Sequence, residues 1–239
     1  MRIKILLFGI SMLVVNFVNG QVKQGVIKYK QTNYLEFENM PADMPKSVES
    51  FVRLTFNSNE SLYEKDPDIK EDENPNDNTP RMFRRMRNRP MKTVYKNLEK
   101  EIALEQTNVF GKDFLITDSL NALKWKVSAG EQKNILGYLC MKATFIDSTR
   151  NLVVFFTPQI PIKFGPDTYG DLPGIILEVQ SAQLHILATE IKTEAGPIKA
   201  PTKGDKMNRK DFEKMREAKM KEQRELWGNR GGEVRVIRQ

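Results

Sequence analysis

The sequence predicts a mainly β protein: a curved antiparallel sheet, forming a bowl or an incomplete barrel, with one surface helix near the C-terminus. Short segments alternate apolar and polar residues with period two, as Val52, Leu54 and Phe56 do against Arg53, Thr55 and Asn57, and as Leu123, Trp125 and Val127 do against Lys124 and Lys126. Such alternation marks strands covered on one face only. About a dozen candidate strands joined by short polar turns favour an antiparallel meander over alternating βαβ units. A single sheet of that size must twist and curl. The stretch MNRKDFEKMREAKMKEQRELWG is the clearest helical segment.

Taken in order, the chain opens with MRIKILLFGISMLVVNFVNG, residues 1–20. Basic residues Arg2 and Lys4, an apolar run from Ile5 to Val18 and small residues at Val18 and Gly20 give the three-part layout of a secretory signal peptide. The apolar run falls short of the roughly 20 residues of a spanning helix. The expected mature chain therefore starts at Gln21, forms one β domain over 21–239, lacks a transmembrane helix and works in the periplasm or cell envelope. The net charge of +7 includes Arg2 and Lys4 and drops to about +5 without them. That excess is mild and does not point to nucleic acid.

Further strands are expected over 25–33, 61–65, 92–98, 102–109, 113–117, 136–146, 151–157, 175–180 and 184–192. Residues 64–92 interrupt them as a charged insertion, acidic up to Asp77 and basic from Arg81. Opposite charge blocks with little apolar content favour a mobile loop. Arg81, Arg84, Arg85, Arg87 and Arg89 form an anion-contact candidate there, unless the two blocks fold onto each other. Met82, Met86 and Met91 are thioether candidates for a soft metal, but methionine also serves as adaptable packing and no histidine or cysteine accompanies them. The helix is expected over 206–227, with Asn208 as N-cap, Asp211 in the first turn, Met207 and Phe212 as a hydrophobic staple and Gly228 as the stop. Its thin apolar stripe suits a surface position. The tail EVRVIR reads as a last short strand.

Cys140 is the only cysteine, so an internal disulfide is ruled out and a small apolar core role is expected for it. The single histidine, His185, sits among apolar residues and does not suggest a catalytic pair. A phosphate-binding glycine loop, a GxSxG elbow, a CxxC pair and a metal-ligand histidine pair are all missing. No cofactor is implied, and spacing alone nominates none of the carboxylates for glycosidase-type chemistry.

Residues 125–180 carry a patterned block: Trp125, then ILGYLCMKAT, then FFTPQIPIKFGP, then YGDLPGIILEV. The order of Cys140, Pro158, Pro161, the Gly165–Pro166 pair and the turn Asp171–Leu172–Pro173–Gly174 resembles the GLPGLI family, exported proteins of Bacteroidetes-type bacteria. Asp171 stands where the first glycine of that signature is usual, and Ile175 where leucine is usual. The resemblance implies a curved antiparallel β structure, distantly similar to the bowl-like N-terminal domain attached to some glycan-releasing amidases. It supplies no catalytic residues. From the residues themselves, Leu172–Pro173–Gly174–Ile175 fits a type II turn, with glycine taking positive φ. Ile175 to Val179 is then a central core strand, and Pro158 and Pro161 suit an edge or bulged strand beside it.

The expected function is an exported, non-enzymatic envelope protein that binds a ligand or an outer-membrane partner in the concave face of its sheet. Two other readings stand beside it: a glycan-acting enzyme with unassigned carboxylates, and a purely structural envelope component. The concave face separates the three. An apolar open bowl points to binding, a polar cleft with facing acids to catalysis, and a plugged bowl to structure.

Overall fold

The computed structural model describes residues 22–35, 45–69, 90–120, 122–146 and 151–230. The N-terminal segment, Met82, Met86, the five arginines Arg81 to Arg89 and the tail EVRVIR lie outside the described residues. The strands are β1 (Gly25–Tyr34), β2 (Ser47–Phe56), β3 (Glu60–Lys65), β4 (Thr93–Asn97), β5 (Ile102–Val109), β6 (Lys112–Ser119), β7 (Trp125–Ile135), β8 (Tyr138–Phe145), β9 (Val153–Thr157), β10 (Ile175–Gln180), β11 (Leu184–Lys192) and β12 (Asp205–Asn208), followed by helix α1 (Arg209–Arg230). Among the described residues no helix is long and apolar enough to cross a membrane.

All twelve strands form one sheet in the order β12-β6-β5-β4-β3-β2-β1-β11-β10-β9-β8-β7. Two meanders, β1 to β6 and β7 to β11, meet where β1 pairs with β11. Chain connectivity then dictates the curl. On a flat sheet β6 and β7, second and twelfth in the order, would lie roughly 48 Å apart at strand spacing. The six residue steps from Ser119 to Trp125 reach at most about 22 Å. The sheet must therefore bend until its ends approach each other, without closing into a barrel. The expected curved, open sheet with a C-terminal helix is what the chain forms.

The connection between β9 and β10 packs inside this curl. Its residues alternate from Ile160 to Phe164: Ile160, Ile162 and Phe164 are buried while Pro161 and Lys163 face outward. Leu172 joins the same core as Tyr29, Val52, Leu54 and Val154. The connection touches strands far apart in the sheet order, since Lys96 of β4 donates to it and Trp125 Nε1 of the end strand β7 donates to Gly170 O at 2.8 Å. Strand β10 runs through the core as expected, with Ile175, Ile176, Leu177 and Val179 all fully buried.

Four local expectations are corrected. Gly174 does not take positive φ; the left-handed residue of this turn is Asp171, at φ 66°, a conformation that aspartate tolerates better than most residues. Glycine is needed at 174 for contact instead, because a Cβ there would meet Thr157 O at 2.1 Å and Pro158 Cα at 2.9 Å. Pro158 and Pro161 occupy no edge strand: β9 pairs on both sides, with β8 and β10, and the prolines follow its end. The helix begins at Arg209 after a short strand and continues past Gly228 to Arg230. That strand, β12, pairs parallel with β6, the one departure from antiparallel pairing among the described strands.

The start of α1 follows its sequence signals closely. Asn208 Oδ1 accepts the Asp211 N–H at 2.9 Å and its amide returns a bond to Asp211 Oδ2 at 2.7 Å. Met207 and Phe212 pack together against Phe114 and Ile116, with the Phe114 and Phe212 rings edge to face at 5.5 Å. Beyond Met215 the described side chains of the helix are exposed, so only its first turns are docked.

A Gly174→Ala variant will lose about 3 kcal/mol of stability, the upper end of overpacking costs, as measured by chemical denaturation. A variant of unchanged stability would show that the close approach to Thr157 and Pro158 does not constrain the corner.

Candidate functional site

A cavity of about 200 Å³ opens between β4, β5, the end of β6, the connection around Phe164 to Asp171 and the first residue of α1. Its apolar wall comes from Val94, Leu98, Leu104 and Leu123, and its charged groups are Lys96, Glu105, Asp118, Lys163, Asp171 and Arg209. The cleft is lined mostly by apolar surface, with charged groups of both signs set in it.

Each charged group has a traceable position. Lys96 lies on β4 and is buried; its Nζ donates to Thr168 O and to Tyr169 O, both at 2.7 Å. Burial lowers its ammonium pKa to about 8, with Asp167 and Asp171 opposing that shift and Lys92 adding to it. Asp171 accepts the Leu123 N–H at 3.0 Å through Oδ2, and its own N–H donates to Lys163 O at 2.9 Å. It thereby ties the β9–β10 connection to the segment leading into β7. Glu105 and Asp118 lie diagonally on one face because Ala103 is the register partner of Asp118. Arg209 bridges them, with Nη2 to Glu105 Oε2 at 2.8 Å and Nε to Asp118 Oδ2 at 3.0 Å. Burial would lower the Arg209 pKa, but these two carboxylates outweigh it and hold the guanidinium charged. The bridge fastens the helix start to the sheet and occupies both acids. Lys163 is exposed at the rim, and Lys96 and Asp171 are the other charged lining groups outside that bridge.

A second cluster sits across β7, β10 and β11. The buried carboxylate of Glu178 accepts from Gln180 Nε2 at 2.6 Å, lies 2.8 Å from His185 Nε2 and forms an ion pair with Lys133. Lys133 Nζ also stands 4.4 Å from the Phe155 ring centroid. Burial disfavours the Glu178 charge, but the bonds from Lys133 and His185 outweigh it and lower its pKa.

The residues singled out by the sequence scatter around the cleft instead of forming it. Asp171 lines the cleft, whereas Leu172 and Gly174 are buried behind it and Pro173 faces solvent. Gly165 is buried against Ile176, and Pro166 O accepts the Tyr169 N–H at 3.2 Å. Cys140 is fully buried, its thiol pushed up to about 11 by burial, as a core residue should be. Met91 is half-buried and packs against the core, next to the carboxylate-bearing loop. His185 is not simply packed, because it pairs with Glu178. Nothing in the sequence marks Lys96, Glu105, Asp118 and Arg209 as a group. Their only trace is charge at inward positions of β4, β5 and β6, and register had to be known before these could be assembled.

The fold and cleft define a class first: an open, curled β-sheet protein with a cleft bearing acids and bases under the start of its helix. Residues 81–226 match the model of the N-glycanase peptide, N-terminal domain family, and the chain belongs to that family. It is similar in structure to PNGF-II in a P21 crystal form, with a TM-score of 0.52 and 16% identity over 81% of this chain and 33% of that one. The C2 form of PNGF-II gives a TM-score of 0.52 and 17% identity over 80% of this chain and 32% of that one. At such identities the likeness carries the fold alone, and the chain spans about a third of the length of those structures. No curated protein matches the chain.

These findings correct two expectations. The family is that of the N-glycanase N-terminal domain, not GLPGLI, because the match spans the patterned block and the strands and helix around it. The reading of a non-enzymatic envelope protein falls with it, in favour of the glycan-acting alternative.

The Lys96 environment fixes a pH dependence. Below about pH 8 the amine is charged in folded and unfolded chains alike, so the full burial cost is present. Between about 8 and the ordinary value of 10.5 the unfolded chain holds a proton that the folded one releases. Stability contributed by this site therefore rises with pH across that window, by roughly 3 kcal/mol. Denaturation of wild type and Lys96→Met at pH 7.5 and 10.5 will show the wild type gaining on the variant; a constant difference would mean that Lys96 is not held in a charge-disfavouring site.

Proposed function

We propose that this chain is a glycan-acting protein of the N-glycanase kind, and that the cleft of Lys96, Glu105, Asp118 and Asp171 is where it meets the glycan. One observation carries the reading: the span matched by the N-glycanase family, 81–226, contains every residue that lines the cleft, from Val94 to Arg209.

The chemistry of the cleft suits such a ligand. A saccharide offers hydroxyl groups that donate and accept, and ring faces of C–H groups that favour apolar contact. Lys96 supplies a donor and Asp171 an acceptor, while Val94, Leu98 and Leu123 supply apolar wall. Glu105 and Asp118, bridged by Arg209, stand at the cleft's rim. With a pKa of about 8, Lys96 is also the group that can exchange a proton near neutral pH, as general acid–base chemistry requires. The basic and apolar segment at 1–20 supports export of the chain, where glycoproteins of the surroundings would be accessible to it.

The test uses the mature chain and one N-glycosylated glycopeptide, beside the same peptide without its glycan. Native mass spectrometry follows the complex and chromatography follows released glycan. The reading predicts a glycan-dependent signal, bound or released, that falls about tenfold or more in Lys96→Met and Asp171→Asn. Identical behaviour towards both peptides would overturn it.

A further inference from the structure

We infer that the chain takes an extended, uncharged oligosaccharide across two subsites, the second being a separate amide-lined cavity around Gln31, Asn33, Ser50 and Tyr63; this rests on the glycan-acting reading of the first cleft. The second cavity measures about 300 Å³ and opens on β1, β2 and β3, on the other side of the Phe164–Asp171 segment from the first. The two cavities share that segment as a partition. Lys92 and Asp167 line the second, and Lys96, Thr168 and Asp171 line the first.

The partition is pinned by two rungs to β4 and the residue just before it. Lys92 Nζ meets Asp167 Oδ1 at 2.6 Å, and Lys96 Nζ meets the carbonyls of Thr168 and Tyr169 at 2.7 Å. Asp167 and Asp171 both take left-handed backbone, at φ 55° and 66°, which curls the segment into a raised divider. Four residues of extended strand separate the rungs, roughly 13 Å. A single sugar ring could occupy one side of the divider but could not reach both.

The chemistry of the second cavity selects the ligand class. Its polar lining is two carboxamides, a hydroxyl and a phenol, and its lysine and aspartate cancel each other in an ion pair. Tyr63 OH donates to Gln31 Oε1 at 2.7 Å and Gln31 Nε2 donates to Asn33 Oδ1 at 3.4 Å, which fixes both amides and leaves the second Nε2 hydrogen of Gln31 over. The Asn33 amide nitrogen and the Ser50 hydroxyl carry no hydrogen bond to a described residue, and both line the cavity. Val48 and Met91 add apolar surface beside them. Neutral donors and acceptors next to apolar wall match hydroxyls and ring C–H faces, and give no net charge for a phosphate or a carboxylate.

Isothermal titration of the mature chain with N-acetylglucosamine and with a free high-mannose N-glycan tests the inference. The glycan is expected to bind at least about tenfold tighter than the monosaccharide. Asn33→Ala should remove most of that gain, and Asn33→Trp, which fills the cavity, should remove all of it, each with the melting temperature of the wild type. Asp171→Asn should weaken both ligands. Equal affinity for the two ligands, or a glycan affinity unmoved by both Asn33 variants while Asp171→Asn lowers it, would overturn the second subsite and leave the glycan-acting reading standing. Absence of binding by either ligand would overturn both.

Discussion

Lys96 is a nearly buried cation at the wall of the cleft, and its three N–H groups need oxygen partners that bulk water hardly supplies. Two of them find the carbonyls of Thr168 and Tyr169, which belong to a segment more than seventy residues further along the chain. The bond strengthens as the surroundings dry, because a buried charge without partners costs several kcal/mol. That demand holds the β9–β10 connection against β4 and so forms the wall shared by both cavities. Arg209 solves a similar problem at the cleft's other rim, where one guanidinium satisfies Glu105 and Asp118 and fixes where the helix starts.

The curl of the sheet makes these meetings available. With β6 and β7 near opposite ends of the strand order and only a short link between them, the concave side is narrow enough for one connection to touch both β4 and β7. Its alternating Ile160, Ile162 and Phe164 fill the interior with apolar volume, while its polar backbone is carried to the rim. Part of the bowl is therefore plugged and part is a cleft with charged groups set in a mostly apolar lining. The plug supplies the core burial that a chain with a single cysteine cannot replace with a disulfide.

Much of the fold was legible in the sequence because it rests on local patterns. Period-two alternation found most strands, the bounds of β5, β10 and β11 agree residue for residue, and Asn208, Met207 and Phe212 marked the helix start. Chain length and strand number implied curvature. What depended on distant partners was not legible. The turn at 171–174 looks like a Pro-Gly turn, but its glycine answers to the backbone of Thr157, so steric contact and not φ decides the residue. The strand at Asp205–Asn208 is too short to show a period and exists by pairing with β6. The cleft was hidden for the same reason: Lys96, Glu105, Asp118 and Arg209 are ordinary surface residues in sequence, and only register and the curl bring them together. Asp171 of the patterned block lines the cleft, but the family the block suggested was not the one to which the chain belongs.

The central claim is that one buried ammonium organises the partition between the cavities. Amide hydrogen exchange of wild type and Lys96→Met compares it directly, since Tyr169 N–H is bonded to Pro166 O and Asp171 N–H to Lys163 O inside the partition. Loss of the anchor should speed exchange at Tyr169 and Asp171 by about tenfold or more, while the amides of Leu177 and Val179 in β10 keep their protection. Equal exchange at Tyr169 and Asp171 in the two proteins would contradict the account, because the partition would then stand without Lys96.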